Sequence, residues 1–289
     1  MPAERIAENL AYINWTLLAT LAVGSFWAVA LGRLTTAATK GYLAFVALAA
    51  AGLAALAALS DGALPIRSTA VDSYVGPILP GDASQAAFRT VALWALAALA
   101  LVYAVALLRG ARWRWLGIGG SVVGLAVLAA GAASWSATPG GGGLDQPLQL
   151  LLQLVALAAA TGGVWASMIL GHWYLVTPKL PEAPLVRFAR LLTLVVAGQV
   201  VLFVAWRLLG AGPGGEPGFS ALGGDWALFV WLRLVVGLVM PLVISWAAIQ
   251  TARTRSMESA TGLLYIDVGL IAAGTILAAG LYFGAGLLV

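Results

Sequence analysis

The chain has no cysteine, one histidine among 289 residues, and only 9% charged residues. Without cysteine it builds no disulfide, thiolate zinc site or iron–sulfur cluster of its own. One histidine excludes a bis-histidine haem or a multi-histidine metal centre built from this chain alone. A Walker loop, a nucleophile elbow and a dinucleotide fingerprint are also missing from any suitable context. Lys40 and Lys179 fall in loops, which removes a mid-membrane Schiff-base lysine. We therefore expect no covalent or metal cofactor on this chain and no catalytic activity of its own. The basic balance comes from few charges and does not point to nucleic acid.

What is abundant is apolar. The composition is 62% hydrophobic and the mean hydropathy is +0.99. A soluble domain would carry about a quarter charged residues. Several runs exceed the roughly 18 apolar residues needed to cross a bilayer core. The fold class is thus an all-α polytopic integral membrane protein with about eight transmembrane helices. We read the spans as 10–31, 41–59, 88–108, 115–136, 148–171, 189–210, 226–250 and 260–288. Met1 to Asn9 lacks the basic start and cleavage site of a signal peptide, so the first span is read as retained.

Charge alternates between the connecting loops. Arg33, Lys40, Arg109, Arg112, Arg114, Lys179, Arg187, Arg190, Arg253 and Arg255 all fall after odd-numbered spans. These ten of fifteen basic residues face only Glu182 and Glu258 on that side. The positive-inside rule makes the odd loops cytoplasmic. Both termini are then non-cytoplasmic, and a cell membrane of the bacterial inner-membrane type is expected. On the other side, 60–87 is long enough to form a cap over helix ends. Gly140–Gly143 forms a flexible link, and 210–225 reads as irregular.

That link divides the chain into a first four-helix half (1–139), a glycine-rich link (140–147) and a second four-helix half (148–289). Spans 1 and 5 both run aromatics into Leu-Gly, at Leu31-Gly32 and Leu170-Gly171. Gly117 precedes Gly124, and Gly262 precedes Gly269, by seven residues each. A tandem duplication with an axis along the membrane normal would produce this pattern. Close helix approach in lipid would use the same small residues.

Against this background a few polar residues stand out. Asp267 lies in the last span, about 8 Å inside its basic boundary at 1.5 Å per residue. A carboxylate in hydrocarbon handles protons or ligands, or is a structural acid bonded to a neighbour. Arg233 lies about 10 Å inside the other boundary of span 7; it holds an anionic or carbonyl-bearing ligand, or snorkels outward. The two depths leave a direct ion pair out of reach. His172, with Trp173 and Tyr174, closes span 5 on the side of Asp267. A histidine beside a buried acid suits proton uptake coupled to quinone chemistry, with the aromatics bracketing a flat ring. The same residues also suit an interfacial belt. Gln153, Gln199 and Gln250 read as interhelical hydrogen-bonding groups, and Arg207 as a snorkelling end residue.

The leading functional expectation is a membrane subunit that binds a quinone or another lipid-soluble ligand, or anchors a redox partner. Its partners are the lipid bilayer and other membrane or outer-side subunits. The alternatives are a proton-coupled small transporter or channel, and a purely structural anchor for an outer-side protein. Eight spans in two four-helix units is also the outline of polysulfide-reductase-type membrane anchors and of haem A synthases. Neither is matched motif by motif, and the single histidine argues against the second.

Overall fold

The structure is a computed structural model that describes residues 1–64, 83–110, 113–136, 145–177 and 180–289. The expected cap between 60 and 87 and the Gly140–Gly143 link lie mostly or wholly outside the described residues, as do Arg112, Pro178 and Lys179.

Among the described residues, eight helices are long and apolar enough to cross a membrane. After a short helix α1 (Pro2–Glu8), the spans are α2 (Leu10–Thr35), α3 (Lys40–Gly62), α4 (Ala83–Leu108), α5 (Arg114–Trp135), α6 (Asp145–Val176) and α7 (Ala183–Leu209). The seventh span is divided into α8 (Ala227–Leu234), a π-helical segment Val235–Val239, and α9 (Met240–Arg253). The last span is α10 (Met257–Ala285). All-helical spanning follows from the solvent: lipid offers no partner for backbone amides, so each helix satisfies its own.

Within the first set, α2 packs on α3, α3 on α4, α4 on α5, and α5 back on α2. The same ring recurs as α6 with α7, α7 with α9, α9 with α10, and α10 with α6. The two rings share the α2–α6 pairing, flanked by α5 on α6 and α10 on α2. Glycine makes the central pairing possible. A Cβ at Gly24 would meet the Ala158 carbonyl oxygen at 1.8 Å, and one at Gly162 would meet the Gly24 carbonyl carbon at 1.9 Å. The two backbones touch, as small residues allow in lipid.

The ends of the bundle differ. One carries Arg33, Lys40, Arg114, Arg187, Arg190 and Arg253 and is called the basic end below. At the opposite end, Trp15 and Trp135 are buried at an edge-to-face centroid distance of 4.5 Å, with Tyr12 and Phe283 against them. Trp135 thus belongs to the interior rather than to an interfacial belt.

The chain after α10 turns back into the bundle. Gly286 adopts φ +68°, its amide bonds the Tyr282 carbonyl at 2.8 Å, and the Leu287 amide bonds the Leu281 carbonyl at 3.1 Å. Left-handed glycine is the usual end of a helix because it has no Cβ to clash. Leu287, Leu288 and Val289 are buried. The glycine-rich loop after α7 covers them, with the Gly214 amide on the Gly286 carbonyl at 3.1 Å. The stretch 210–225 is therefore seated on the tail, and it contains a short 3₁₀ turn, Ser220–Leu222.

Candidate functional site in the core of the second half

The polar groups of the second half form a column between α6, α7, α8–α9 and α10. It begins where the seventh span is broken. Pro241 has no amide hydrogen and cannot complete the helical bond to the carbonyl four residues back, Gly237. The local winding loosens instead, and the Met240 amide bonds the Val235 carbonyl, five residues back. Arg233 Nη1 donates to the Gly237 carbonyl at 3.3 Å. Gly237 also carries the crossing with α10, where a Cβ would stand 2.6 Å from the Gly274 Cα.

Arg233 does not snorkel. It is 2% exposed and points into the core. Its Nη2 donates to Gln199 Oε1 at 2.9 Å, and Nε lies 3.4 Å from the Val289 carbonyl. Gln199 in turn donates to the Ala156 carbonyl at 2.7 Å, tying α7 to α6. Arg207 does not snorkel either. It is fully buried, with Nη2 2.7 Å from the Leu288 carbonyl and 3.4 Å from that of Ala211. Arg207 Nε and Nη1 have no hydrogen-bond partner among the described residues. Gln153 completes this layer, donating to the Val289 carbonyl at 2.6 Å and accepting from Trp206 Nε1 at 3.0 Å. Two guanidinium groups thus sit in the bundle with carbonyl and amide acceptors. Neither has an Asp or Glu side-chain partner among the described residues.

The first half treats its cation differently. Arg89 Nε donates to Asp61, and Nη1 donates to Ser134 Oγ at 2.9 Å. Thr90 also donates to Asp61. The guanidinium carbon lies 4.8 Å from the centroid of a Trp135 ring and 5.6 Å from one of Trp15, within the range of cation–π attraction. Nothing in the pattern of loop charges singles out Asp61 and Arg89 as a pair. The available signal was position: each lies within a few residues of an apolar run, at the same end, on consecutive spans.

Asp267 is fully buried, and neither carboxyl oxygen has a hydrogen-bond partner among the described residues. It stands seven residues before Gly274, so it shares that face of α10 at a separation of about 10 Å. The same face meets the Arg233–Gly237 crossing. Counting the same distance along antiparallel α9 reaches the level of Ser245, which lies 3.1 Å from Thr193 Oγ1 on α7. Asp267 and Arg233 therefore belong to one column and are not an ion pair.

His172, Trp173 and Tyr174 do not gather around Asp267. His172 is exposed at the basic end, with Nδ1 3.5 Å from the Tyr265 hydroxyl. Tyr265 is two residues before Asp267 on α10, hence about 200° around the helix. Trp173 packs against α3, where its ring limits the space at Gly41 and its centroid lies 6.5 Å from that of Tyr42. Tyr174 is buried and donates to the Pro181 carbonyl, pinning the turn into α7. Trp173 and Tyr174 thus face different partners.

Groups of three or more metal-ligating side chains are not found among the described residues. No known protein family, curated protein or solved structure matches this chain.

Proposed function

We propose that the chain is an integral membrane subunit that binds a lipid-soluble ligand of the quinone class in the core of its second half. Asp267 is the group that exchanges a hydrogen bond or a proton with the ligand. The observation that carries this reading is the buried Asp267 carboxyl, which no described side chain or backbone group satisfies. Buried polar groups are nearly always hydrogen-bonded, and the exceptions concentrate where a molecule is to be held. Its surroundings are Leu264, Ile271 and the glycine crossing, which favour an apolar ring with one polar edge over a sugar or a hydrated ion. The chain supplies no redox centre of its own in this reading, so electrons come from a partner subunit. The charge asymmetry of the loops supports a bacterial inner-membrane location with the basic end cytoplasmic.

The test is retention of an apolar molecule after mild extraction, read by native mass spectrometry, and titration with a short-tail quinone followed by tryptophan fluorescence. Asp267→Asn is expected to weaken binding about tenfold, the loss of one charge-assisted hydrogen bond. Equal affinity in the variant and the parent protein overturns the assignment.

A second reading rests on a different observation. The break at Val235–Val239 and the column from Asp267 to Arg207 resemble the broken helices and midplane polar groups of transporters. Proton-coupled transport predicts pH-dependent flux in proteoliposomes that Asp267→Asn abolishes.

A further inference from the structure

A cavity of about 550 Å³ opens at the basic end between α2, the start of α3, and the α4–α5 turn. Arg33, Lys40 and Arg114 line it. None has an acidic partner among the described residues. Gly110, at φ +76°, closes the end of α4 without a side chain; a Cβ there would stand 2.9 Å from Lys40 Nζ. Tyr103 also lines the cavity. It is buried, and its hydroxyl makes no hydrogen bond to a described residue. Three cations and one hydroxyl thus converge on a space lined by no Asp or Glu among the described residues.

The cavity has an apolar neighbour. It shares Leu34 with an apolar groove of about 470 Å³ that runs down the membrane-facing side of α2 and α5. Trp27 forms one wall, fixed by its Nε1 donating to the Ser121 carbonyl at 3.1 Å. Ile118, Val122 and Leu125 form the other. The groove follows α5 from Gly117 to Leu125, about 12 Å along the axis. It is open on the lipid side, and its exposed surface is almost wholly apolar.

We propose that the cavity and the adjoining groove together form a binding site for a phospholipid of net negative charge. Its headgroup phosphate lies among Arg33, Lys40 and Arg114, and one acyl chain lies along Trp27 and Val122. Charge complementarity selects the occupant. A zwitterionic lipid brings a cation that the cavity repels, and a soluble anion leaves the groove unfilled. Basic clusters at a membrane surface attract anionic lipid by about 1 kcal/mol per residue, or about fivefold per charge. This site lies in the first half and is independent of the Asp267 reading.

The experiment uses the purified full chain, relipidated with phosphatidylglycerol and phosphatidylcholine of identical acyl chains. Retained lipid is counted by native mass spectrometry. Phosphatidylglycerol is expected to be retained preferentially. The double variant Arg33→Gln, Lys40→Gln is expected to cut that preference more than tenfold. Val122→Trp fills the groove from its exposed side and is expected to reduce retention of both lipids. Arg253→Gln, in the separate basic cavity between α7 and α9, is expected to leave the preference unchanged. If the double variant unfolds, exposed Arg114→Gln carries the charge arm with an expected fivefold loss. The proposal is overturned if the charge variants keep the parent preference, or if Arg253→Gln removes it equally. It is also overturned if Val122→Trp leaves retention unchanged, or if inorganic phosphate displaces the lipid, which would make the cavity a soluble-anion site.

Discussion

Arg233 donates to the carbonyl of Gly237, and Pro241 is the reason that carbonyl is free to accept. One residue removes a helical donor and another supplies a replacement four positions upstream. The π-helical winding between them is a consequence of this exchange, and such segments recur at functional positions in helices. Pro241→Ala returns an amide that competes for Gly237. We expect stronger protection from hydrogen exchange across 235–241 and a gain of about 1 kcal/mol in stability, since proline is the poorest interior helix residue. Ligand retention should fall as Arg233 loses its anchor. Unchanged exchange in this segment would show that the winding has another origin.

The ion pair of Asp61 and Arg89 makes a separate prediction. Removing one partner of a buried pair leaves a bare charge and costs roughly 3–5 kcal/mol, whereas replacing both with apolar residues is often neutral. Asp61→Ala should therefore lower the unfolding midpoint in detergent sharply. Asp61→Leu combined with Arg89→Met should recover most of the loss. A double variant as unstable as the single one would mean that the pair itself, and not the desolvated arginine, carries the stability.

How much of this was legible beforehand follows from what each signal measures. The spans were legible because hydropathy over some 20 residues reports directly on the cost of crossing lipid. Seven of the eight spans are single uninterrupted helices, and the eighth is broken at the glycine and proline that the sequence displays at 237 and 241. Asp267 was legible as an anomaly in an apolar run, and the structure buries it. The orientations of Arg207 and Arg233 were not. Snorkelling and core insertion begin from the same helix position, and the choice depends on which carbonyls fold back to meet the guanidinium. Besides the local carbonyls of Ala211 and Gly237, these are the carbonyls of Leu288 and Val289, remote in sequence from the arginines they meet. The grouping of His172 with Asp267 failed for a related reason. Both residues were placed toward the same end of the bundle, but neither their separation in depth nor the angle around α10 was considered.

The α2–α6 crossing predicts a steep response to the smallest change. Gly24→Ala places a methyl carbon where the Ala158 carbonyl oxygen would be 1.8 Å away. The helices must separate along much of their length, and overpacking of this kind costs at least about 1–3 kcal/mol. Gly198→Ala on α7, where nothing lies within 4 Å of the added carbon, should instead gain up to about 1 kcal/mol from helix propensity. Thermal unfolding of the two variants side by side separates the contact from the propensity. Similar behaviour in both would mean that α2 and α6 can slide apart at little cost.

The segment after α10 ties the two cations of the second half to the fold. Leu288 accepts from Arg207, and Val289 accepts from both Arg233 and Gln153. Deleting Leu287–Val289 removes two buried leucines and a buried valine, and it also strips acceptors from two buried guanidinium groups. An unsatisfied buried charge costs more than the contact that satisfied it was worth. The deletion should therefore destabilise the chain by more than its buried leucines explain, by about 3–5 kcal/mol. The diagnostic is non-additivity. In the deleted background, Arg207→Leu should restore stability, because the charge it removes has lost its partner there. In the parent background the same substitution should be destabilising, because it leaves the Leu288 carbonyl unpaired. A cycle of the four proteins, read by chemical unfolding, gives the coupling between tail and arginine directly, and additive effects would show that the tail is held by packing alone.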